Sequence, residues 1–210
     1  MKKRKSRVLT EEKKEQIFQV ALKEFAEKGY EQASTNTICK EAGVAKGLLF
    51  HYYGSKGGLY LSLLDKGVDK FMQIYDKMLP QLAPDILKRI EQILELKIRF
   101  YSEDSLFSSL LVNAFIDIPT ELEGEIRNKL NRMYEKYLPR LYEHLDYEVF
   151  RDGIDPQKAI EFVGLITDAL SEKYIKAYKS TGDKKYLNLE SIKVEMEIYL
   201  DMLRKGIYKG

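Results

Sequence analysis

Apolar residues return every three or four positions along almost the whole chain, and strand-type alternation is nearly absent. A chain patterned this way buries helix faces, so the fold class expected is all-α. Five prolines and 13 glycines punctuate 210 residues. The periodicity predicts helices over 10–28, 35–42, 46–53, 55–79, 85–101, 106–116, 121–144, 156–179 and 189–205, about nine in total. Thr10 suits an N-cap, and Glu11 and Glu12 suit the positive end of the first helix dipole. Gly29 ends that helix, Pro80 stops the fourth, and Asp155-Pro156 opens the eighth as cap and first residue.

The net charge of +2 hides an asymmetry. Residues 1–60 hold 12 Lys/Arg against 7 Asp/Glu, and residues 61–210 hold 23 against 26. The basic excess sits at one end, as expected if that end meets a polyanion. One cysteine excludes an intrachain disulfide, and with two histidines it leaves too few ligands for a structural zinc site, so no metal and no cofactor are expected. The basic residues 1–7 lead into a polar stretch rather than an apolar one, which does not read as a signal peptide. No apolar run is long enough to span a bilayer, and the expected location is cytoplasmic.

The stretch 35–56, TNTICKEAGVAKGLLFHYYGSK, carries the functional argument. Two short helices flank a tight turn at Ala42-Gly43-Val44, the layout in which a second helix enters the DNA major groove. Gly43 supplies a positive φ without a Cβ penalty. Lys46 falls in the first turn of the third helix, where the dipole disfavours a cation by about 0.3–1 kcal/mol unless an anion is near. Gly47 costs about 1 kcal/mol relative to Ala in a helix, but its bare backbone can approach a surface closely. Leu49 and Tyr53 make the core face, which leaves Phe50, His51 and Tyr52 for sugar, thymine methyl or phosphate. Lys56 opens the next helix, where a phosphate would be welcome. The competing account is a solvated helical hairpin, but several rule-breaking residues converge on one turn.

With "ALKEFAEKGYEQAST" and "ICKEAGVAKGLLFHYYGSKGGLY" on the page, the segment from about Ile17 to Tyr60 resembles the N-terminal domain of the TetR family of transcriptional repressors. The resemblance implies an all-helical homodimer, with a three-helix DNA-binding domain and a helical regulatory domain that takes a small molecule. The domains are then 1–54, including a basic arm over 1–9, and 55–210, joined rigidly within the fourth helix. It further implies that Thr35, Ala45, Lys46, Gly47, Phe50, His51, Tyr52 and Lys56 face double-stranded DNA at a palindromic operator. Phe50 stands where a tyrosine is common, which removes a hydroxyl. Gly57-Gly58 replaces a more polar pair, so a loosely started fourth helix is expected.

Other residues carry two readings each. The five basic residues Lys2, Lys3, Arg4, Lys5 and Arg7 form either an arm in the minor groove or a solvated terminus. Cys39 is either a redox switch or, better, a small buried hydrophobe. His144 is ordinary for a helix end. Phe100, Tyr101, Phe107, Phe115, Tyr134, Tyr137, Phe162 and Tyr174 are, as a group, candidates for an apolar effector pocket, and individually also core. Phe162, Val163, Ile166, Leu170, Met196, Tyr199 and Leu203 lie on the apolar stripes of the last two helices, a dimer interface or internal packing. No Ser/His/Asp arrangement, phosphate-cradling loop or metal cluster points to an enzyme. The function expected is a repressor released by a small, largely apolar ligand. An activator of the same fold, or a helical interaction protein without ligand response, remains beside it.

Overall fold

A computed structural model describes residues 9–209. Its nine α-helices among the described residues are α1 (Glu11–Gln32), α2 (Thr35–Glu41), α3 (Lys46–Tyr53), α4 (Lys56–Met78), α5 (Ile86–Glu103), α6 (Ser105–Ile116), α7 (Glu123–Leu141), α8 (Pro156–Thr181) and α9 (Leu189–Ile207). Short 3₁₀ turns at Leu79–Gln81, Thr120–Leu122 and Lys184–Leu187 fill three of the joints. The all-α expectation holds, and the helices match their predicted positions to within a few residues. The chain divides into two compact units. One holds the residues up to Ile74 together with Tyr101–Met133, and the other holds Tyr75–Phe100 with Tyr134–Gly210.

The first unit is built on α1. Thr10 caps the helix, its hydroxyl accepting from the Lys13 amide at 3.3 Å. Ile17, Phe18, Ala21, Leu22 and Phe25 are all buried along one face. Gly29 takes φ 71° and breaks the helical path, as its position at the predicted stop requires. Against α1 lies α6, with the Phe18 and Phe107 rings 5.8 Å apart and the Asn113 amide donating to the Ala26 carbonyl at 3.2 Å. Glu24, buried on α1, accepts from the Ser34 amide at 2.9 Å and from Lys28 at 2.8 Å. Burial alone would raise its pKa, but these two donors outweigh burial and hold the carboxyl below its ordinary range.

The start of α4 corrects one expectation. Gly57 and Gly58 do not loosen it. The Ser55 hydroxyl accepts from the Gly58 amide at 2.9 Å, a side-chain cap. A Cβ on Gly58 would lie 2.0 Å from the Tyr53 carbonyl oxygen, so α3 and α4 turn on a backbone approach that only glycine permits. Gly57 is itself buried.

The second unit has its own apolar core, including Leu87, Phe150, Val163, Leu170, Met196 and Leu200. Arg89, 3% exposed, donates to three carbonyls: Ala83 at 2.7 Å, Leu141 at 2.8 Å and Glu143 at 2.7 Å. One guanidinium thus joins the entry to α5 to the end of α7. The last residues are tied down by Arg151, whose side chain donates to the Tyr208 and Lys205 carbonyls, and by the Tyr208 hydroxyl, which donates to Asp85 at 2.6 Å.

Two stability predictions follow from these contacts. Arg89→Met should cost at least about 2 kcal/mol in urea unfolding, because buried acceptors lose their partner. An unchanged midpoint would refute that role. Gly58→Ala should lower the melting temperature more than Gly47→Ala, which meets nothing within 4 Å. Equal effects would show that the turn relaxes freely.

Candidate nucleic-acid interface

The second and third helices meet at the turn predicted. Gly43 has φ 62°, and α2 closes with the Val44 amide donating to the Cys39 carbonyl at 3.0 Å. Lys13 of α1 adds a cation at that C-terminus, donating to the Ala42 carbonyl at 3.3 Å. Ile38, Ala42 and Leu49 are fully buried and fix α3 against α2. Cys39 is buried with them. Burial pushes its thiol pKa up against a smaller opposing pull from Lys46, which fits packing rather than reactivity.

With Leu49 turned inward, Ala45 ahead of α3 and Lys46, Gly47, His51 and Tyr52 on it are exposed, and Phe50 is half-buried. Ala45 has no side-chain oxygen to cap the helix, and in the first turn of α3 the Leu48 amide donates instead to the Ala45 carbonyl at 2.9 Å. The Lys46 ammonium sits 5.7 Å from the Phe50 ring centroid, and the His51 ring meets Tyr52 edge-on at 5.4 Å. Thr35 opens α2 half-buried, while Ser34 makes the cap by accepting from the Thr37 amide at 3.3 Å, so the Thr35 hydroxyl is not spent on it. Lys56 is less free than expected. Its ammonium donates to the Glu31 carbonyl at 3.1 Å and lies 4.6 Å from the Tyr30 ring. The eight residues thus fall at the start of α2, at the entry to and along α3, and at the first residue of α4, all in the first unit. One contact was not legible in the sequence: the Tyr52 hydroxyl accepts from the Leu9 amide at 2.8 Å. The two residues are 43 positions apart, and no local pattern links them.

The other candidate residues belong to both units. Phe107 is occupied against Phe18, and the Tyr137 ring packs edge-on to Tyr75 at 5.4 Å. Tyr174 donates its hydroxyl to Glu195 at 2.7 Å. Tyr134 and Phe162 are exposed, at 55% and 47%. Of the eight aromatics, three are thus engaged in packing or hydrogen bonding and two are exposed. Phe100 is buried and Phe115 half-buried. Burial pushes the Tyr101 hydroxyl up to about 12. On the last two helices, Val163, Leu170, Met196 and Leu203 face the core of their own unit, and Ile166 and Tyr199 pack partly against it. Val163, Leu170, Met196 and Leu203 are buried, and Ile166 and Tyr199 are half-buried. The outward apolar residues are Phe162 and Leu165 on α8, and Val194, Ile198 and Met202 on α9. The correction is one of register. An apolar helix with two apolar stripes shows equal periodicity on both, and only packing decides which is inside.

Among the described residues no group of acids, histidines or cysteines is placed to hold a metal ion, and no helix is long and apolar enough to cross a membrane.

The family model for bacterial regulatory proteins of the tetR family matches residues 17–63. The uncharacterized HTH-type regulator YuxN of Bacillus subtilis is 44% identical over 59 residues, 28% of this chain and 20% of that protein. The chain therefore matches about a fifth of YuxN's length. The fatty acid metabolism regulator protein of Bacillus subtilis is 27% identical over 157 residues, 70% of this chain and 76% of its own length. The transcriptional repressor AcnR of Corynebacterium glutamicum is 25% identical over 166 residues, 76% and 87% of the two chains. A transcriptional regulator from Cytophaga hutchinsonii has the same fold, with a TM-score of 0.63 at 19% identity over 94% of this chain and 99% of that one. The helix-turn-helix geometry and the family match over its residues agree: residues 17–63 carry the DNA-binding helix-turn-helix domain of the tetR family of bacterial regulatory proteins.

Proposed function

We propose that the protein is a homodimeric repressor that leaves a pseudo-palindromic operator when a small, largely apolar effector binds. The observation that carries the DNA half is the exposed tip of α3, with an uncapped first turn, Lys46 and Gly47 together on the surface. Phosphate at that tip would stand in for the missing side-chain cap and relieve the dipole conflict of Lys46. In this reading Thr35, Ala45, Lys46, Gly47, Phe50, His51, Tyr52 and Lys56 form the interface with DNA. The functional division at 54/55 separates reader from regulatory part.

The sign of regulation follows AcnR, a repressor by name. The effector class follows the Bacillus subtilis regulator of fatty acid metabolism. Tyr101 and Phe115, both half-buried, are the aromatic candidates we assign to it. Homodimerisation is supported by the five large apolar side chains left outside on α8 and α9, a patch that water disfavours. Footprinting on DNA flanking the protein's own gene, with and without free fatty acids, tests the whole reading. Protection lost on adding effector is the expected result, and protection that only appears with effector would make the protein an effector-dependent binder instead.

Two substitutions separate the parts. Lys46→Ala should weaken binding to every duplex and reduce the slope of log K against log salt by about 0.9 per contact. Lys56→Ala should do less, because its ammonium already serves the end of α1. An unchanged slope for Lys46→Ala would remove it from the interface. Leu165→Glu or Ile198→Glu should turn the dimer into a folded monomer in sedimentation equilibrium. A wild-type mass for both would exclude this face as the interface.

A further inference from the structure

Lys56 opens α4, and its side chain is held from a distant part of the chain. The ammonium donates to the Glu31 carbonyl at 3.1 Å and stands 4.6 Å from the centre of the Tyr30 ring. That ring is itself fixed. It stacks on Phe25 at 6.1 Å with 6° between the planes, and it tilts against the fully buried Tyr60 at 5.0 Å. Its hydroxyl donates to the Glu121 carboxylate, in the 3₁₀ turn Thr120–Leu122 that follows α6. The next residue of that turn, Leu122, is buried and rests against Gly57, where a Cβ would lie 2.8 Å from the Leu122 Cδ2 atom. One three-residue turn thus holds both the ring under Lys56 and the backbone beside it. All of these residues belong to the first unit, yet 120–122 lie outside the segment 17–63 that the family model matches.

We propose that Glu121 and Tyr30 are positioning residues for Lys56, through which the turn after α6 aims that lysine at a DNA phosphate. The inference rests on the reading of Lys56 as a phosphate contact. An ammonium has three N–H donors. The Glu31 carbonyl takes one, and two remain for a phosphate. A free lysine side chain loses rotamer freedom when it binds, whereas one already held by a carbonyl and a ring has less to lose. The ring attracts the cation through its negative face and does not cancel the charge. Among the described residues no carboxylate forms an ion pair with Lys56, and the nearby acid is given to the phenol instead. Burial first, and then Glu121, push the Tyr30 hydroxyl well above its ordinary pKa, so it remains a donor at neutral pH. Simple charge repulsion predicts the opposite sign for Glu121. An acid beside a DNA-facing lysine repels the polyanion, so its removal would tighten binding if it did not support Lys56.

The test titrates the full-length protein by fluorescence anisotropy against a mixed-sequence DNA duplex across a salt series. The variants are Lys56→Ala, Glu121→Ala and Tyr30→Phe, with each of the last two also combined with Lys56→Ala. Lys56→Ala should reduce the slope of log K against log salt by at most about 0.9, the equivalent of one phosphate. Glu121→Ala should weaken binding about two- to fivefold, and by no more than Lys56→Ala does. Tyr30→Phe, which keeps the ring and every charge, should lose a similar factor. Neither substitution should weaken binding further once residue 56 is alanine. A merely structural role would lower affinity equally in both backgrounds, and that result overturns the positioning role while leaving Lys56 as a phosphate contact. Tighter binding by Glu121→Ala in the otherwise unchanged chain, or unchanged binding by Tyr30→Phe, overturns it as well. An unchanged affinity and slope for Lys56→Ala overturns the phosphate reading of Lys56 and the positioning role together, as does failure of the full-length protein to bind any duplex.

Discussion

The buried face of α1 sets the terms for the first unit. Ile17, Phe18, Ala21, Leu22 and Phe25 leave water together, and each fully buried side chain of this size is worth about 1.5–3 kcal/mol. Both α2 and α6 pack on this helix, so the reader and α6 share one apolar support. Polar ties along α1 fix the geometry that apolar contact leaves loose. Glu24 holds the loop to α2, Lys13 holds the end of α2, and the Ala26 carbonyl holds α6 through Asn113.

In the proposed reading, what faces DNA is what this support leaves outside. Leu49 is drawn inward with Ile38 and Ala42, and helical geometry then turns Lys46, Gly47 and His51 outward. The chemistry of α3 is not optimal for a solitary helix. It lacks a side-chain cap, begins with a cation and contains a glycine, and each of these local costs is removed or used when a phosphate-lined groove is present. The glycine at 58 shows the opposite case, a residue that looked like slack and is required by the Tyr53 carbonyl.

In the second unit, a single buried arginine does the work that apolar packing cannot do. Arg89 satisfies carbonyls from two separate segments, a task that needs several donors in a fixed plane. The apolar stripes of α8 and α9 were legible as stripes, but not as inside or outside. Val163 and Leu170 went inward, and the neighbouring Phe162 and Leu165 stayed out. A shift of one residue is about 100° around a helix, so small differences in packing decide which stripe a partner can see.

The sequence by itself determined the helical class, the helix boundaries marked by Gly29, Pro80 and Pro156, and the reader at 35–56. These are local properties, written in spacing, caps and turn residues within a few positions of one another. Only the tertiary structure decided that Lys56 serves the end of α1, that Phe107, Tyr137 and Tyr174 are engaged in packing or hydrogen bonding, and that Leu9 is bonded to Tyr52. Each of those joins residues far apart in the chain. Their pairing depends on how helix faces are rotated against one another, and periodicity along one helix carries no record of that rotation.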